Sequence, residues 1–442
     1  MKITISAAIV LAFSSIAASI ITVPIDVHLN PINLNPKSLT KRYLNKRAGV
    51  STTAPLTNVE NDILYTIPLS LGTPPQIFNV AIDTGSPITW VSSSSCLAGG
   101  CVNTNKFNCA ASSSCKALPN SFNASYVSGE GVSGTYIAET YTIGSLRFLG
   151  VAGIVTQNSA QLPPTVDGIM GLWYYAPGSQ IPILNMLRNT TALTENMISV
   201  YLEASTVKSG NAPGGEITFG GVNPARFTGQ ISYVNCIADR PWSIPVGGMT
   251  VGNTKINVVG AIASIDTGTT AMLMPQVVAD AINGAIPGAI KAPQQGGLWF
   301  LPCSGNTPVT ITFGAFTGDI PYTSLAMQST RQKTSQGDYC LSAAMFPTGQ
   351  IVTIEEWLIG DAFLKNVYSV YDFGTNAATG GRIGFAQLAS RGSGGNGGTS
   401  GGSGGGSSGG SGGSSSGSVK TSSSMFQVTT ALVAVSALFV MF

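Results

Sequence analysis

Asp83-Thr84-Gly85-Ser86 and Asp266-Thr267-Gly268-Thr269 are near-copies of one another. Each ends an apolar run, Phe78–Ile82 in the first case and Val258–Ile265 in the second. Each is answered downstream by two apolar residues and a glycine, Ile169-Met170-Gly171 and Leu358-Ile359-Gly360. A single Asp-Thr-Gly says little, because Asp and Gly are ordinary turn residues. A repeat that includes the distant partner points to two equivalent units facing one another. A carboxylate at the end of a buried strand is held rigidly, and a glycine, having no Cβ, lets a second backbone come close. Two such units would set Asp83 against Asp266. Carboxylates that close cannot both ionise, so they share one proton and titrate as a pair. The ionised member can take a proton from a bound water while the protonated one donates to a carbonyl, which is general acid–base hydrolysis of an amide. Thr84 and Thr267 are placed to hydrogen-bond across the two units, and Ser86 and Thr269 to align the outer carboxylate oxygens.

Strands are needed to carry these residues, and the chain is rich in them. From Ile63 to Ala389, short runs of Val, Ile, Thr, Tyr and Phe alternate with Gly, Pro, Asn and Ser. Period-two alternation is clear at Ile67–Leu71, Phe78–Ile82, Gly215–Phe219 and Val309–Phe313. Helical patterns are confined to Pro182–Arg188, Pro275–Ile282 and Thr353–Trp357. The expectation is an all-β protein in two lobes, 48–222 and 223–390, with a cleft between them, because this body is long for one β domain. The chain has 442 residues, with 21 Lys+Arg and 19 Asp+Glu for a net charge of +2. With only 9% charged residues it is no polyelectrolyte, and no Lys/Arg cluster offers a nucleic-acid surface. His28 is the one histidine, which argues against a histidine base or a histidine-rich metal site, and no Cys/His spacing suggests zinc. No cofactor is implied.

The ends have a different character. Lys2, an apolar run from Ile3 to Ile16 and the small residues Ala17-Ala18-Ser19 read as a signal peptide, 1–19. Dibasic pairs at Lys41-Arg42 and Lys46-Arg47 suggest a propeptide, 20–47, with the mature chain starting at Ala48. Residues 391–418 form a Gly/Ser-rich flexible linker, and 419–442 an apolar tail with no basic cluster after it. Small residues, spacer and tail form the pattern of a GPI-attachment signal, with Ser416 the candidate site and a tail-anchored helix the alternative. Seven cysteines in a secreted chain suggest disulfides with one thiol left over. Cys96, Cys101, Cys109 and Cys115 allow three pairings, Cys303 and Cys340 are a plausible pair, and Cys236 is the odd one, on a strand. Asn123 and Asn189 stand in N-glycosylation sequons that could be exposed loops.

The motifs together resemble the pepsin family of aspartic endopeptidases. The resemblance runs from Leu64 to Ala389 and rests on Leu71-Gly-Thr-Pro-Pro-Gln76, Trp90-Val91, Asp167-Gly-Ile-Met-Gly-Leu172, Phe219-Gly-Gly-Val222, Trp357-Leu-Ile-Gly-Asp361 and Arg382-Ile-Gly-Phe-Ala386, beside the two Asp-Thr-Gly motifs. It implies two six-stranded barrel-like lobes, a cleft for an extended peptide, and Asp83 and Asp266 as the catalytic dyad. It also implies a flap hairpin at Ser125-Tyr126-Val127-Ser128-Gly129, with Tyr126 closing over substrate and Trp90 as its hydrogen-bond partner. Val127 stands where a glycine is common, Glu130 where a small hydroxyl residue is usual, and Pro87-Ile88-Thr89 replaces Ser-Asn-Leu. Signal, dibasic propeptide and GPI tail are similar to the cell-surface yapsin-like enzymes of fungi. The expected protein is a monomeric, membrane-anchored acid endopeptidase of peptide and protein substrates. A silent peptide-binding relative and a structural spacer are the alternatives, and both leave an intact dyad without a use.

Charge separates along the chain in the same way. Residues 1–47 carry six Lys+Arg and one Asp, a net +5, whereas 48–416 carry 14 Lys+Arg and 18 Asp+Glu, a net −4. A basic propeptide drawn to an acidic cleft, with Lys37 as a contact, follows as an expectation. Of the 54 glycines, 15 lie in 392–417 and belong to the linker rather than the folded body.

Overall fold

The computed structural model describes residues 49–389 apart from 98, 102–104, 127–129, 161, 175–181, 190–191, 208, 239, 294–295, 347–355 and 375–380. The signal peptide, the propeptide with Lys37, the linker, the tail with Ser416, and Val127, Ser128 and Gly129 of the flap lie outside the described residues.

The sequence Gln76–Asp83 shows how local pattern becomes site. Its outer half alternates, with Ile77 and Asn79 exposed and Phe78 buried, and then Val80 to Asp83 are all buried. That change marks a strand that leaves a half-exposed sheet and runs inward with both faces covered. It pairs antiparallel with Leu64–Leu71 and parallel with Gly168–Gly171, in a register that sets Asp83 opposite Gly171. Trp90–Ser92 follows, antiparallel to Gly168–Gly171 and parallel to Leu146–Asn158. Gly131–Ile143 pairs with Leu146–Asn158 and returns to Leu64–Leu71 through Ser70↔Thr142 and Leu71↔Tyr141. Six strands therefore close on themselves, and Lys116–Ser125 extends the ring at one side.

The second half repeats the arrangement around Asp266. Ile262–Ile265 pairs parallel with Glu356–Ile359, and Met272–Leu273 lies antiparallel to the latter. Sequence pattern placed a helix at Thr353–Trp357. Of that span 353–355 lie outside the described residues, and Glu356–Ile359 is a strand. Pairing with the strand before Asp266 overrides a local helical pattern here. The expected run from Val258 is also shorter than its apolar composition suggested. Ala261 N donates to Val258 O, Gly260 takes φ +77°, and the strand begins only at Ile262. The helices Ile183–Asn189 and Gln276–Gly284 lie where their periodicity indicated.

Three strands from each half build a sheet between them. Thr52–Val59, Ala212–Phe219 and Met197–Leu202 continue into Val367–Asp372, Arg382–Leu388 and Phe227–Asn235. The junction is the antiparallel pairing of Tyr368↔Tyr201 through Asp372↔Met197. The chain is thus mostly β, with large sheets, in keeping with a bilobal fold.

The structure chooses among the open cysteine pairings. Cys96 bonds Cys101, Cys109 bonds Cys115, and Cys303 bonds Cys340. Cys236 is a buried free thiol one residue beyond the strand Phe227–Asn235, not within it, and its backbone donates to Gly381 O. Loop-closure entropy ranks the bridges by separation. Replacing Cys303 and Cys340, 37 residues apart, by alanine should cost about 4 kcal/mol, against about 2 kcal/mol for Cys96 and Cys101, 5 apart. Thermal melts of the two double variants check this, and equal shifts would contradict it.

Candidate active site

Asp83 and Asp266 sit at two matching strand ends, 7% and 6% exposed. Each carboxylate is clamped by its own turn. Gly85 N donates to Asp83 Oδ1 at 2.8 Å and Ser86 Oγ donates to Oδ2. Gly268 N donates to Asp266 Oδ1 at 2.8 Å and Thr269 Oγ1 to Oδ2 at 2.6 Å. The two glycines also face the opposite aspartate. A Cβ on Gly85 would run into the Asp266 carboxylate, and one on Gly268 into that of Asp83. The close approach of the pair therefore requires both glycines.

The threonines lock the halves together. Thr84 N donates to Thr267 Oγ1 at 3.1 Å, and Thr267 N to Thr84 Oγ1 at 2.9 Å. Their hydroxyls then donate onward, Thr84 to Ile265 O at 2.9 Å and Thr267 to Ile82 O at 3.1 Å. Each hydroxyl thus accepts from the opposite turn and donates to the opposite strand. The downstream glycines support the turns from behind. A Cβ on Gly171 would strike the Ile88 backbone, and one on Gly360 the carbonyls of Thr269 and Ala271. Leu172 N donates to Asp83 O at 2.7 Å and Asp266 N to Ile359 O at 3.0 Å.

Burial raises the pKa of both aspartates, and the charge of Asp266 raises that of Asp83 further. The donors from Ser86 and Gly85, and from Thr269 and Gly268, work in the opposite direction by favouring the charged forms. One proton shared between two carboxyls satisfies both tendencies.

Tyr126 follows the strand Lys116–Ser125 and is buried, its hydroxyl accepting from Trp90 Nε1 at 2.6 Å. Burial, and then the Asp83 charge, push its phenol well above the ordinary range. Its backbone N donates to Glu130 O at 2.8 Å, which closes the base of the hairpin. Asn123 is exposed and lies in that strand rather than in a loop, whereas the side chain of Asn189, at the end of its helix, lies outside the described residues.

Two residues important to this geometry carried no role in the sequence reading. Trp242 has φ +61°, a conformation that bulky residues avoid. Its Nε1 donates to Leu172 O at 3.1 Å and its carbonyl accepts from Ile265 N at 3.0 Å, so it touches the residues beside both aspartate turns. Asp361 closes the motif Trp357–Asp361, and its backbone N donates to Thr269 O at 2.7 Å. It is 1% exposed, and neither carboxylate oxygen has a hydrogen-bond partner. Burial, and then the charge of Asp266, push it well above the usual carboxylate range. Lys365 is the opposing cation, and its Nζ lies 2.8 Å from Asp62 Oδ2. Burial opposes the Asp62 charge, but Lys365, Asn58 and the Ser205 amide outweigh it and hold that carboxyl low.

A pair of aspartates shared between two structurally repeated turns defines the class of site. The family model for eukaryotic aspartyl proteases matches residues 64–388, and the chain belongs to that family. It is 30% identical over 330 residues to a probable aspartic-type endopeptidase CTSD of Trichophyton verrucosum, covering 74% of this chain and 61% of that protein. It is 31% identical over 344 residues to the aspartic-type endopeptidase ctsD of Aspergillus fumigatus, covering 76% and 68%. It is 29% identical over 359 residues to pepsin A of Rhinolophus ferrumequinum, covering 79% and 87%. The chain thus spans less than two thirds of the Trichophyton relative's length.

Asp361 makes stability pH-dependent. Its unfolded carboxyl ionises near pH 4, whereas the folded one holds its proton to higher pH. Between those values the folded state binds more protons, so stability falls as pH rises, by up to about 1.4 kcal/mol per pH unit. Asp361→Asn, neutral at every pH, should match the parent near pH 3 and exceed it near pH 7. Denaturant unfolding across that range checks this. Parallel curves for the two proteins would show that Asp361 does not titrate in the fold.

Proposed function

We propose that this protein is an acid-active endopeptidase in which Asp83 and Asp266 activate a water against a peptide carbonyl. The observation that carries the reading is the mutual clamping of the two buried carboxyls by Gly85, Ser86, Gly268 and Thr269. The ionised aspartate takes a proton from water, the protonated one donates to the carbonyl oxygen, and the tetrahedral intermediate then expels the amine. Tyr126, with Ser128 and Gly129 of the same hairpin, covers the substrate from the 48–222 lobe, and the 223–390 lobe supplies Asp266. The printed names of the relatives, endopeptidases and a pepsin, support this reaction class.

The precursor in this proposal enters the secretory pathway through residues 1–19 and is cut after Arg47. Gly49 O already accepts from Thr194 Oγ1, and Val50 N donates to Ala192 O, so a chain starting at Ala48 keeps these contacts. Linker 391–418 and tail 419–442 give a monomeric enzyme tethered by a GPI anchor at Ser416, in the manner of the yapsin-like group. Glu130 beside the flap favours a basic side chain in the substrate.

The mature chain should cleave an unstructured protein at pH 3–5 and lose activity as both carboxyls ionise. Asp83→Asn should lower the rate by at least about 100-fold. Equal rates for parent and variant would sink the enzyme reading, and undiminished turnover at pH 8 would contradict the shared proton. Matched peptides with Lys or Leu before the scissile bond test the basic preference, which equal cleavage would remove.

A further inference from the structure

We propose that Asn123 carries an N-linked glycan whose first sugar is seated on the flap hairpin by Ser133 and Gln157. This rests on the secretory reading above. Along Lys116–Ser125, Phe122 and Ala124 are buried while Asn123 and Ser125 are exposed. Phe122 fixes that choice of face by packing on Tyr136, ring centroids 5.0 Å apart. Period two then puts the acceptor amide and the sequon hydroxyl on the same solvent side.

The surface beside Asn123 is a shallow, open hollow lined by polar side chains. Asn123 pairs with Ser133, and Ser133 with Gln157, so three polar side chains form one row across adjacent strands. Together with Asn158 and Ser159 they line a cavity of about 390 Å³. The lining side chains are amides and hydroxyls, with Val132 the one apolar member and no charge. Ser133 Oγ donates to Gln157 Oε1 at 3.2 Å, and Ser159 Oγ bridges the N and O of Gly131 at 2.8 and 2.9 Å. Asn158, next along its strand, turns to the other face, 7% exposed, with its Oδ1 accepting from Ala160 N and its amide packed against Gly100, so it backs this surface without facing Asn123. A neutral, hydroxyl-rich ring bearing an N-acetyl group fits such a lining, whereas a phosphate or a carboxylate finds no cation there.

In the attachment step, Asn123 Nδ2 bonds to the anomeric carbon of a lipid-pyrophosphate-linked oligosaccharide. The bond from that carbon to the pyrophosphate oxygen breaks, the lipid pyrophosphate leaves with the electron pair, and one amide proton passes to base. Once seated, the sugar ties Asn123 to the opposing strands three residues before Tyr126. It thereby braces the base of the hairpin.

The test expresses the full chain in a eukaryotic secretory host and maps glycopeptides from the medium. The parent should carry hexosamine on Asn123. A glycan-removing amidase should release it about fivefold faster from folded Gln157→Ala or Ser133→Ala, as loss of one hydrogen bond of about 1 kcal/mol implies. Thermal melts confirm that these surface variants remain folded. Protein in the medium with a bare Asn123 overturns the inference and leaves the secretory reading standing. Protein retained inside the cell without any glycan overturns both. A glycan released at equal rates from parent and variants overturns the seat.

Discussion

Two buried carboxyl groups that repel one another must be kept face to face, and that constraint organises everything around them. Free side chains would rotate apart or admit water between them. Here each carboxylate is held at both oxygens, one by a glycine amide and one by a hydroxyl three residues on. These donors belong to the same tight turn as the aspartate, so the clamp forms whenever the turn forms. What the turns cannot supply is their own relative position. The crossed threonine bonds supply it, because each hydroxyl is used twice and all four bonds are buried. Buried hydrogen bonds of that kind are costly to break singly, since the remaining partner is left unsatisfied. The halves therefore hold together best in the one register that aligns the carboxyls.

The electrostatics behind the dyad follow from the same crowding. Asp266, Asp62 and Asp83 all raise the cost of a charge on Asp361, and Lys365 is the cation that lowers it. Lys365 is committed to Asp62, which it holds ionised. Asp361 has no such partner and keeps its proton instead. A charge at Asp361 would raise the cost of any negative charge on Asp266, so a neutral Asp361 leaves the dyad free to carry its single charge. Acid conditions thus suit both the site and the packing behind it.

Much of this was legible in the residues. The repeated Asp-Thr-Gly and the two distant apolar-apolar-Gly segments specify the strand pairings that place Gly171 opposite Asp83 and Ile359 beside Asp266. They do so because a carboxylate at a buried strand end and a glycine at a close approach each admit few substitutes. Where the helix expected at Thr353–Trp357 falls on described residues, at Glu356 and Trp357, strand replaces it for the converse reason. Glu356–Ile359 is apolar enough for either element, and only its partner strand decides. The pairing of the four clustered cysteines was likewise open, because local spacing permits several geometries and the surrounding turns select one. Trp242 gave no signal, since a left-handed backbone at a tryptophan is invisible to composition and pattern.

That tryptophan shows how the two turns are kept in step beyond the threonines. Its φ of +61° is unfavourable for so large a side chain. It persists because the surroundings fix the indole on several sides. Tyr371 meets it edge-on at 5.2 Å between centroids, and Tyr174 lies 6.0 Å away. Tyr371 belongs to the strand at the junction of the central sheet, and Tyr174 lies shortly after Leu172, whose amide bonds Asp83 O. Relaxing Trp242 to an ordinary backbone conformation would draw its carbonyl from Ile265 and its indole from Leu172 together. Both aspartate turns would then lose a support in the same motion. A strained residue at this position couples the central sheet to the dyad, so the joint between the halves is also part of the machinery that aligns their carboxyls.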